Sequence, residues 1–382
     1  MKSTRSLCYM GIFTLCLGVG ACMTVHDESY QDAWATEQLE SPPEEKTTSP
    51  LGTTDPLIVE FDDTGVANAA QRRALLQAVD RQATADSLLI FVHGWHHNAK
   101  PGDENLEGFT SFLREMNCKL SEGENIGCES SNQYTGVYIG WRGDSTNFLG
   151  IESSIADFWT LPDRKRTSVK VGEIGLKALL EDLDTRIASR KIKRFAVIGH
   201  SLGGSVVLHA VKDRLERRDD NVYVMLNPAV TDAEYRPFAM LKDEGRRFPK
   251  IVTLQANNDR AIRWLFDIIN IGSDSMGYSW ALTHDLNSCD PSTSASCASG
   301  LDYRRSETQI ENSCFTMLQG QSWVITARKD NGSQRETCAQ NNELLGWVIL
   351  AQDGSVEAHN GILTSTQARA LHALLEIKRT HE

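Results

Sequence analysis

The chain has 382 residues, of which 40% are apolar and 24% are charged, so it can bury a large core and is not a disordered protein. Its 28 glycines and 10 prolines exclude collagen-like and proline-rich classes. A formal net charge of -12 argues against nucleic-acid binding, because such binding depends on a basic surface. We therefore expect a globular protein without a nucleic-acid partner.

The first residues carry a secretory targeting pattern. Two basic residues precede an apolar run from Leu7 to Val19, and small residues follow just before Cys22. A helix that spans a bilayer needs roughly twenty apolar residues, and this run is shorter. Residues 1–21 are therefore expected to be a cleaved signal peptide.

The end of this segment resembles the lipobox of bacterial lipoproteins, on the residues Val19-Gly20-Ala21-Cys22. The resemblance implies cleavage before Cys22, a diacylglycerol on its thiol, and stable membrane attachment through several acyl chains. An ordinary signal peptide cut near Ala21 is the alternative. The residue after the cysteine is Met23 and not Asp. In this respect the chain is similar to enterobacterial lipoproteins that are sorted to the outer membrane. The implied location is the cell envelope, with the outer membrane favoured.

Residues 22–55 are polar and contain Pro42, Pro43 and Pro50 without a hydrophobic period, so a flexible tether is expected there. Residues 56–382 are expected to form one domain, in which short apolar runs alternate with helical periods. Helices are predicted at 67–82, along a stripe from 169 to 187, and after Thr364. The predicted strands are 57–61, 87–92, 136–141, 195–198, 222–226, 250–255 and 347–350.

Continuous apolar strands separated by amphipathic helices are typical of a parallel sheet that is covered on both faces. The predicted fold class is therefore α/β, with a doubly wound, mostly parallel sheet. Two stretches interrupt the alternation, at about 144–166 and 265–341, and both are expected to be insertions.

The chain has nine cysteines, and their number and position indicate the redox compartment. Two would leave with the signal peptide and Cys22 would carry lipid, which leaves an even number in an oxidising compartment and predicts three disulfides. The sequence allows many pairings. Local loop closure favours Cys118 with Cys128, Cys289 with Cys297, and Cys314 with Cys338. The spacing lacks the close cysteine pairs of a zinc site, and no metal is expected.

A candidate nucleophile lies in Gly199-His200-Ser201-Leu202-Gly203. A predicted strand runs directly into this GxSxG motif, and an apolar helical stretch follows it. A serine on a sharp turn between strand and helix needs small neighbours two residues away on each side, which the glycines supply. The pattern predicts that the hydroxyl of Ser201 stands clear of the sheet.

A second motif, Phe91-Val92-His93-Gly94-Trp95, ends another predicted strand. Acyl transfer needs preorganised donors for an anionic tetrahedral intermediate, and the backbone N–H groups of Trp95 and Leu202 are candidates for this oxyanion hole. His93, His96 and His97 could be taken for a metal cluster. However, His93 is accounted for by the oxyanion-loop motif. The remaining His96 and His97 are adjacent, face different ways and have no third ligand at a metal spacing, so no metal is expected.

With these two motifs, the chain resembles the α/β-hydrolase superfamily over most of residues 56–382. The segments Val59–Asp63, Phe91–Asn98, Gly140–Gly143 and Leu226–Ala229 look like a lipase/esterase-like subgroup. The resemblance implies a triad in the order serine, acid, histidine, with Ser201 as nucleophile. It implies that the acid is Asp259, with Asp232 and Asp267 as alternatives, and that the base is His359, with His284 as competitor.

The resulting hypothesis is a lipid-anchored envelope serine hydrolase that cleaves carboxylic esters through an acyl-enzyme, without a cofactor. The alternative is a non-catalytic binding or scaffold protein that uses the same fold. The acyl and alcohol specificity, the use of water or an alcohol as acceptor, and the oligomeric state stay open at this stage.

Overall fold

A computed structural model describes the parts of the chain on which the candidate site depends. The described residues are 29–32, 55–81, 85–117, 134–143, 154–188, 192–217, 219–239, 250–256, 259, 283–284, 301–302, 313–318, 322–327, 346–351, 359–364, 367–368, 371 and 375. The predicted signal peptide 1–21, the lipidation site Cys22 and the side chains of the six cysteines in the predicted disulfides lie outside them.

A nine-stranded sheet forms the centre of the molecule, in the order β1-β3-β2-β4-β5-β6-β11-β7-β8. Every neighbouring pair is parallel except β7 and β8, which pair in antiparallel fashion. The strands of this sheet are β1 Leu57–Phe61, β2 Ala85–Val92, β3 Tyr134–Trp141, β4 Ile192–His200, β5 Val222–Leu226, β6 Ile251–Ala256, β7 Thr283–His284, β8 Leu301–Asp302 and β11 Gly346–Ala351. A separate antiparallel pair consists of β9 Ser313–Leu318 and β10 Ser322–Ala327.

The expected α/β class with a mostly parallel sheet is confirmed by this arrangement. All residues of β1, β3 and β5 are buried, as expected for strands with helices or neighbouring chain on both faces. Such strands have no solvent-exposed face, and their sequences are therefore largely apolar without alternation, apart from the buried Glu60 in β1 and Thr135 in β3.

The helices connect these strands. They are α1 Ala69–Arg81, α2 Glu104–Asn117, α3 Ser154–Lys170, α4 Lys177–Ala188, α5 Leu202–Val211 and α6 Asp232–Ala239, with a π-helix at Val171–Leu176 between α3 and α4. The strand order reverses between β2 and β3, so right-handed crossovers place α2 on the face opposite to α5. In agreement with this, α5 packs on α3 and the π-helix, whereas Gly108 of α2 faces Leu363 near the chain end.

Helix α3 begins inside the stretch 144–166 that we expected to be an insertion, so residues 154–166 are helical and continue into the predicted stripe. Pro162, inside α3, explains the missed helix, since proline normally interrupts a helical pattern. A buried ion pair attaches α3 to the sheet: Nη1 of Arg164 is 2.7 Å from Oδ1 of Asp63, which follows β1.

Part of the predicted tether lies on the domain. The backbone N–H groups of Tyr30 and Gln31 donate to the carboxylate of Glu60 in β1 over 2.9 to 3.0 Å. The Gln31 side chain donates to the carbonyl of Ala99 over 2.8 Å. These contacts fix residues 29–32 near the carboxyl ends of β1 and β2. Within the described ranges, no helix combines the length and apolar character needed to cross a bilayer.

Candidate active site

Ser201 occupies the turn between β4 and α5 with backbone angles φ 54° and ψ -119°, which are strained for a residue other than glycine. Its N–H donates to the carbonyl of Leu226 over 3.0 Å, and its carbonyl accepts from Gly204 and Ala229 over 2.9 Å each. These three bonds hold the strained backbone in place. The structure therefore places the predicted nucleophile on the sharp turn that its motif indicates.

The glycines of the motif are required by close backbone approach. A Cβ atom on Gly199 would lie 2.4 Å from the carbonyl oxygen of Gly203. A Cβ atom on Gly203 would lie 2.2 Å from the carbonyl oxygen of Val92 at the end of β2. A side chain at Gly199 would push the first turn of α5 away from β4, and a side chain at Gly203 would push it away from the end of β2.

His359 and Asp259 form a direct pair. Nδ1 of His359 is 2.7 Å from Oδ2 of Asp259, whose side chain is completely buried, while the His359 side chain is 22% exposed. A carboxylate can only accept, so Nδ1 carries a hydrogen and Nε2 is the nitrogen that could act as a base. Asp259 lies just beyond β6, and His359 lies between β11 and the final helical residues.

The histidine of this pair contacts His200, the residue that precedes the predicted nucleophile. The carbonyl oxygen of His359 accepts from Nε2 of His200 over 2.9 Å, and His200 directly precedes Ser201. The rings of His200 and His359 are 4.8 Å apart between centroids. The three residues predicted as a triad are thus brought to the same edge of the sheet, at the carboxyl ends of its parallel strands.

The loop after β2 lies against the nucleophile. A Cβ atom on Gly94 would be 2.9 Å from Cβ of Ser201 and 3.0 Å from the carbonyl oxygen of His200. Trp95, a predicted oxyanion-hole residue, follows directly on this loop. Leu202, the other one, is the first residue of α5, so its N–H belongs to the helical turn that lacks intrahelical acceptors.

His93 fixes the conformation of this loop from the inside. Its Nε2 accepts from the N–H of Trp141 over 3.0 Å, so Nδ1 is the protonated nitrogen and donates to the carbonyl of Gly94 over 2.8 Å. The indole Nε1 of Trp141 donates back to the carbonyl of His93 over 3.0 Å. Burial lowers the pKa of His93 to about 4, so the ring is neutral at pH 7.

The candidate metal ligand His97 and the alternative catalytic residues have other positions in the chain. Nδ1 of His97 is 3.3 Å from Asp103, and no group of three His, Cys, Asp or Glu residues in the described ranges could hold a metal ion. The alternative acid Asp232 begins α6, and Asp267 is outside the described residues. The competitor His284 is in β7, beyond β11.

Asn227 is the site residue that the sequence did not single out. It is completely buried at the end of β5, its φ is 44°, and its Nδ2 donates to the carbonyl of His359 over 3.1 Å. The motif Leu226–Ala229 contains this residue, but the contact joins positions 132 residues apart. A buried asparagine directly after a strand is the signal that could have identified it.

No protein-family model matches this chain, and no curated protein is significantly similar to it.

Proposed function

We propose that this chain is a serine hydrolase with an α/β-hydrolase fold that cleaves carboxylic esters through an acyl-enzyme on Ser201. The observation that carries the proposal is the buried Asp259 bonded to Nδ1 of His359. The same histidine is bonded through its carbonyl to His200, which directly precedes a serine on a strained turn between strand and helix. The position of this group at the carboxyl ends of a parallel sheet is the usual place for a site in α/β folds and supports the proposal.

In the proposed reaction, Nε2 of His359 takes the proton of the Ser201 hydroxyl while its oxygen attacks the ester carbonyl. Asp259 keeps the ring in the required tautomer and stabilises the imidazolium. His359 then gives the proton to the leaving alcohol, and the acyl-enzyme forms. Water, deprotonated by His359, attacks the acyl group and releases the acid and the free serine.

The N–H groups of Leu202 and Trp95 would donate to the oxyanion of each tetrahedral intermediate. Two contacts support this role. The close approach of Gly94 to Ser201 leaves no room for a side chain between the loop and the nucleophile. The internal bonds of His93 to Gly94 and Trp141 hold the loop in that position before substrate arrives.

The direct test is labelling of the full chain in detergent with a fluorophosphonate. We expect one label per chain at Ser201, no label in Ser201→Ala, and a turnover of esters that is at least about 10⁴-fold lower in that variant. The control is Ser205→Ala, which removes a buried hydroxyl on the same helix and should keep the label. A folded wild-type chain without label would contradict the proposal and favour the non-catalytic scaffold.

The substrate class can be narrowed with p-nitrophenyl esters of increasing chain length. Activity that is restricted to long chains would favour acyl lipids, and activity on short chains would favour soluble esters. Amides of the same acids test whether the acyl-enzyme forms only from esters.

We also propose that Cys22 carries the lipid anchor in the cell envelope and that the insertion 265–341 is stabilised by disulfides. Metabolic labelling with a fatty-acid analogue should mark the wild type and not Cys22→Ser. Label that persists in this variant would contradict the anchor. Mass spectrometry of peptides from the unreduced protein should recover three cystine-linked pairs, and six free thiols would contradict that part of the proposal.

A further inference from the structure

The backbone carbonyl of His359 accepts two hydrogen bonds from buried side chains. Nε2 of His200 donates over 2.9 Å and Nδ2 of Asn227 donates over 3.1 Å. Both donors are at most 1% exposed. His359 follows β11 in the chain and precedes the final helical residues. The two bonds therefore tie its main chain to β4 and β5.

Asn227 combines a left-handed backbone conformation with hydrogen bonds to two other segments of the chain. Its φ of 44° lies in the left-handed region, which asparagine tolerates better than most residues other than glycine. Its Oδ1 accepts from the N–H of Ala256 at the end of β6 over 2.7 Å, and its own N–H donates to Leu254 over 2.8 Å. A single amide group thus joins the end of β6, which leads to Asp259, to the carbonyl of His359.

His200 donates to the carbonyl of His359 through a neutral ring. Burial lowers the pKa of the His200 imidazole well below its usual range, and the neighbouring His359 adds to this effect. Since a carbonyl can only accept, Nε2 carries the hydrogen. A neutral ring also avoids repulsion of the imidazolium that would form on His359 during acyl transfer.

We propose that Asn227 and His200 are positioning residues, which hold the carbonyl of His359 so that its ring stays aligned between Asp259 and Ser201. The proposal rests on the proposed hydrolase activity and extends it to residues that do not contact the reacting atoms. Its physical basis is that proton transfer by a base depends on geometry, and a displacement of about 1 Å can cost about 100-fold in rate.

The deciding variant is Asn227→Asp, which keeps an acceptor for Ala256 and replaces the donor to His359 by a carboxyl oxygen. The matched control is Asn221→Asp. Asn221 flanks the other end of β5, is 2% exposed, and accepts from the N–H of Phe195 over 2.9 Å. Both changes introduce an acid at a buried asparagine, but only one lies beside the proposed base.

We expect Asn227→Asp to lower kcat by about 10- to 100-fold with KM changed by less than about threefold, and the rate of fluorophosphonate labelling should fall by a similar factor. Asn221→Asp should keep kcat within about threefold of wild type. The downfield NMR signal of the Nδ1 proton between His359 and Asp259 should shift or broaden in Asn227→Asp and stay unchanged in Asn221→Asp. A purely structural role of Asn227 would not move this proton selectively.

Two further variants test the proposal in case Asn227→Asp does not fold. Asn227→Gly keeps the left-handed backbone and removes the amide, and His200→Phe keeps a buried ring and removes the donor. Each should reproduce the loss in kcat and the NMR change. The proposal would be overturned if the variants that fold have the kcat of wild type and an unchanged proton signal. If the wild type itself resists labelling, the hydrolase proposal fails, and the proton signal still decides the positioning role.

Discussion

The burial of His93 makes the stability of the domain depend on pH. The ordinary pKa of 6.5 applies to the unfolded chain, and burial lowers the pKa to about 4 in the folded protein. Between these values the unfolded state binds more protons than the folded state, so the free energy of unfolding falls as the pH falls. The stabilising contribution is complete above pH 6.5 and is lost progressively towards pH 4.

The size of this effect follows from the linkage relation. Between pH 7 and pH 5, His93 should reduce the free energy of unfolding by about 2 kcal/mol, since each pKa unit corresponds to about 1.4 kcal/mol. The perturbation is His93→Asn, which removes the titrating ring. Urea unfolding at both pH values should show that the wild type loses about 2 kcal/mol more than the variant. His200 is retained in both proteins, and burial, the main cause of its lowered pKa, acts in both.

The variant is expected to be less stable at pH 7, because it loses the bonds of His93 to Gly94 and Trp141. The reasoning concerns the pH dependence alone, so this loss does not affect the comparison. Equal losses in the two proteins between pH 7 and pH 5 would refute it. The same conclusion would follow if NMR showed the His93 ring taking up a proton near pH 6.5 in the folded wild type.

Three other changes test the site and its support. Asp259→Asn should lower kcat by about 10⁴-fold with little change in folding, because the histidine then prefers the wrong tautomer; steady-state kinetics and circular dichroism measure both. Gly203→Ala should abolish labelling of Ser201 and lower the free energy of unfolding in urea by about 1 to 3 kcal/mol. The control is Gly108→Ala, whose new Cβ makes only an ordinary contact and should stabilise helix α2 by up to about 1 kcal/mol. Arg164→Met should cost about 3 to 5 kcal/mol by leaving the Asp63 carboxylate without this partner, and adding Asp63→Asn should restore part of the loss.

The sequence predicted those features that depend on local pattern. Strand β5, Val222–Leu226, matches its predicted bounds because an apolar run ends at an asparagine followed by proline. The turn at Ser201 was also predictable, since glycines two residues away on each side of a serine after a buried strand have few other uses. The order of the strands was not predicted, because sequence periodicity carries no record of which strands become neighbours.

The features that the sequence did not predict depend on distant contacts. The amide of Asn227 serves the His359 carbonyl only after β5, β6 and the chain end have come together. Glu60 in β1 is a buried carboxylate that accepts from Tyr30 and Gln31, and nothing in the polar segment around residue 30 indicates such a partner. Helix α3 was missed in part because Pro162 interrupts its pattern.

The attachment of residues 29–32 would limit how far the domain could move from a bilayer if Cys22 carries the proposed lipid anchor. If Cys22 carries the lipid, only six residues lie between it and Ser29, and the seven steps of extended chain that join them reach about 25 Å. The longer stretch up to residue 55 would then add nothing to the reach, because its first part is fastened to the sheet. If the chain is also the proposed hydrolase, it would work close to the headgroups, and esters embedded in the same leaflet would meet it at a far higher local concentration than esters in the surrounding fluid.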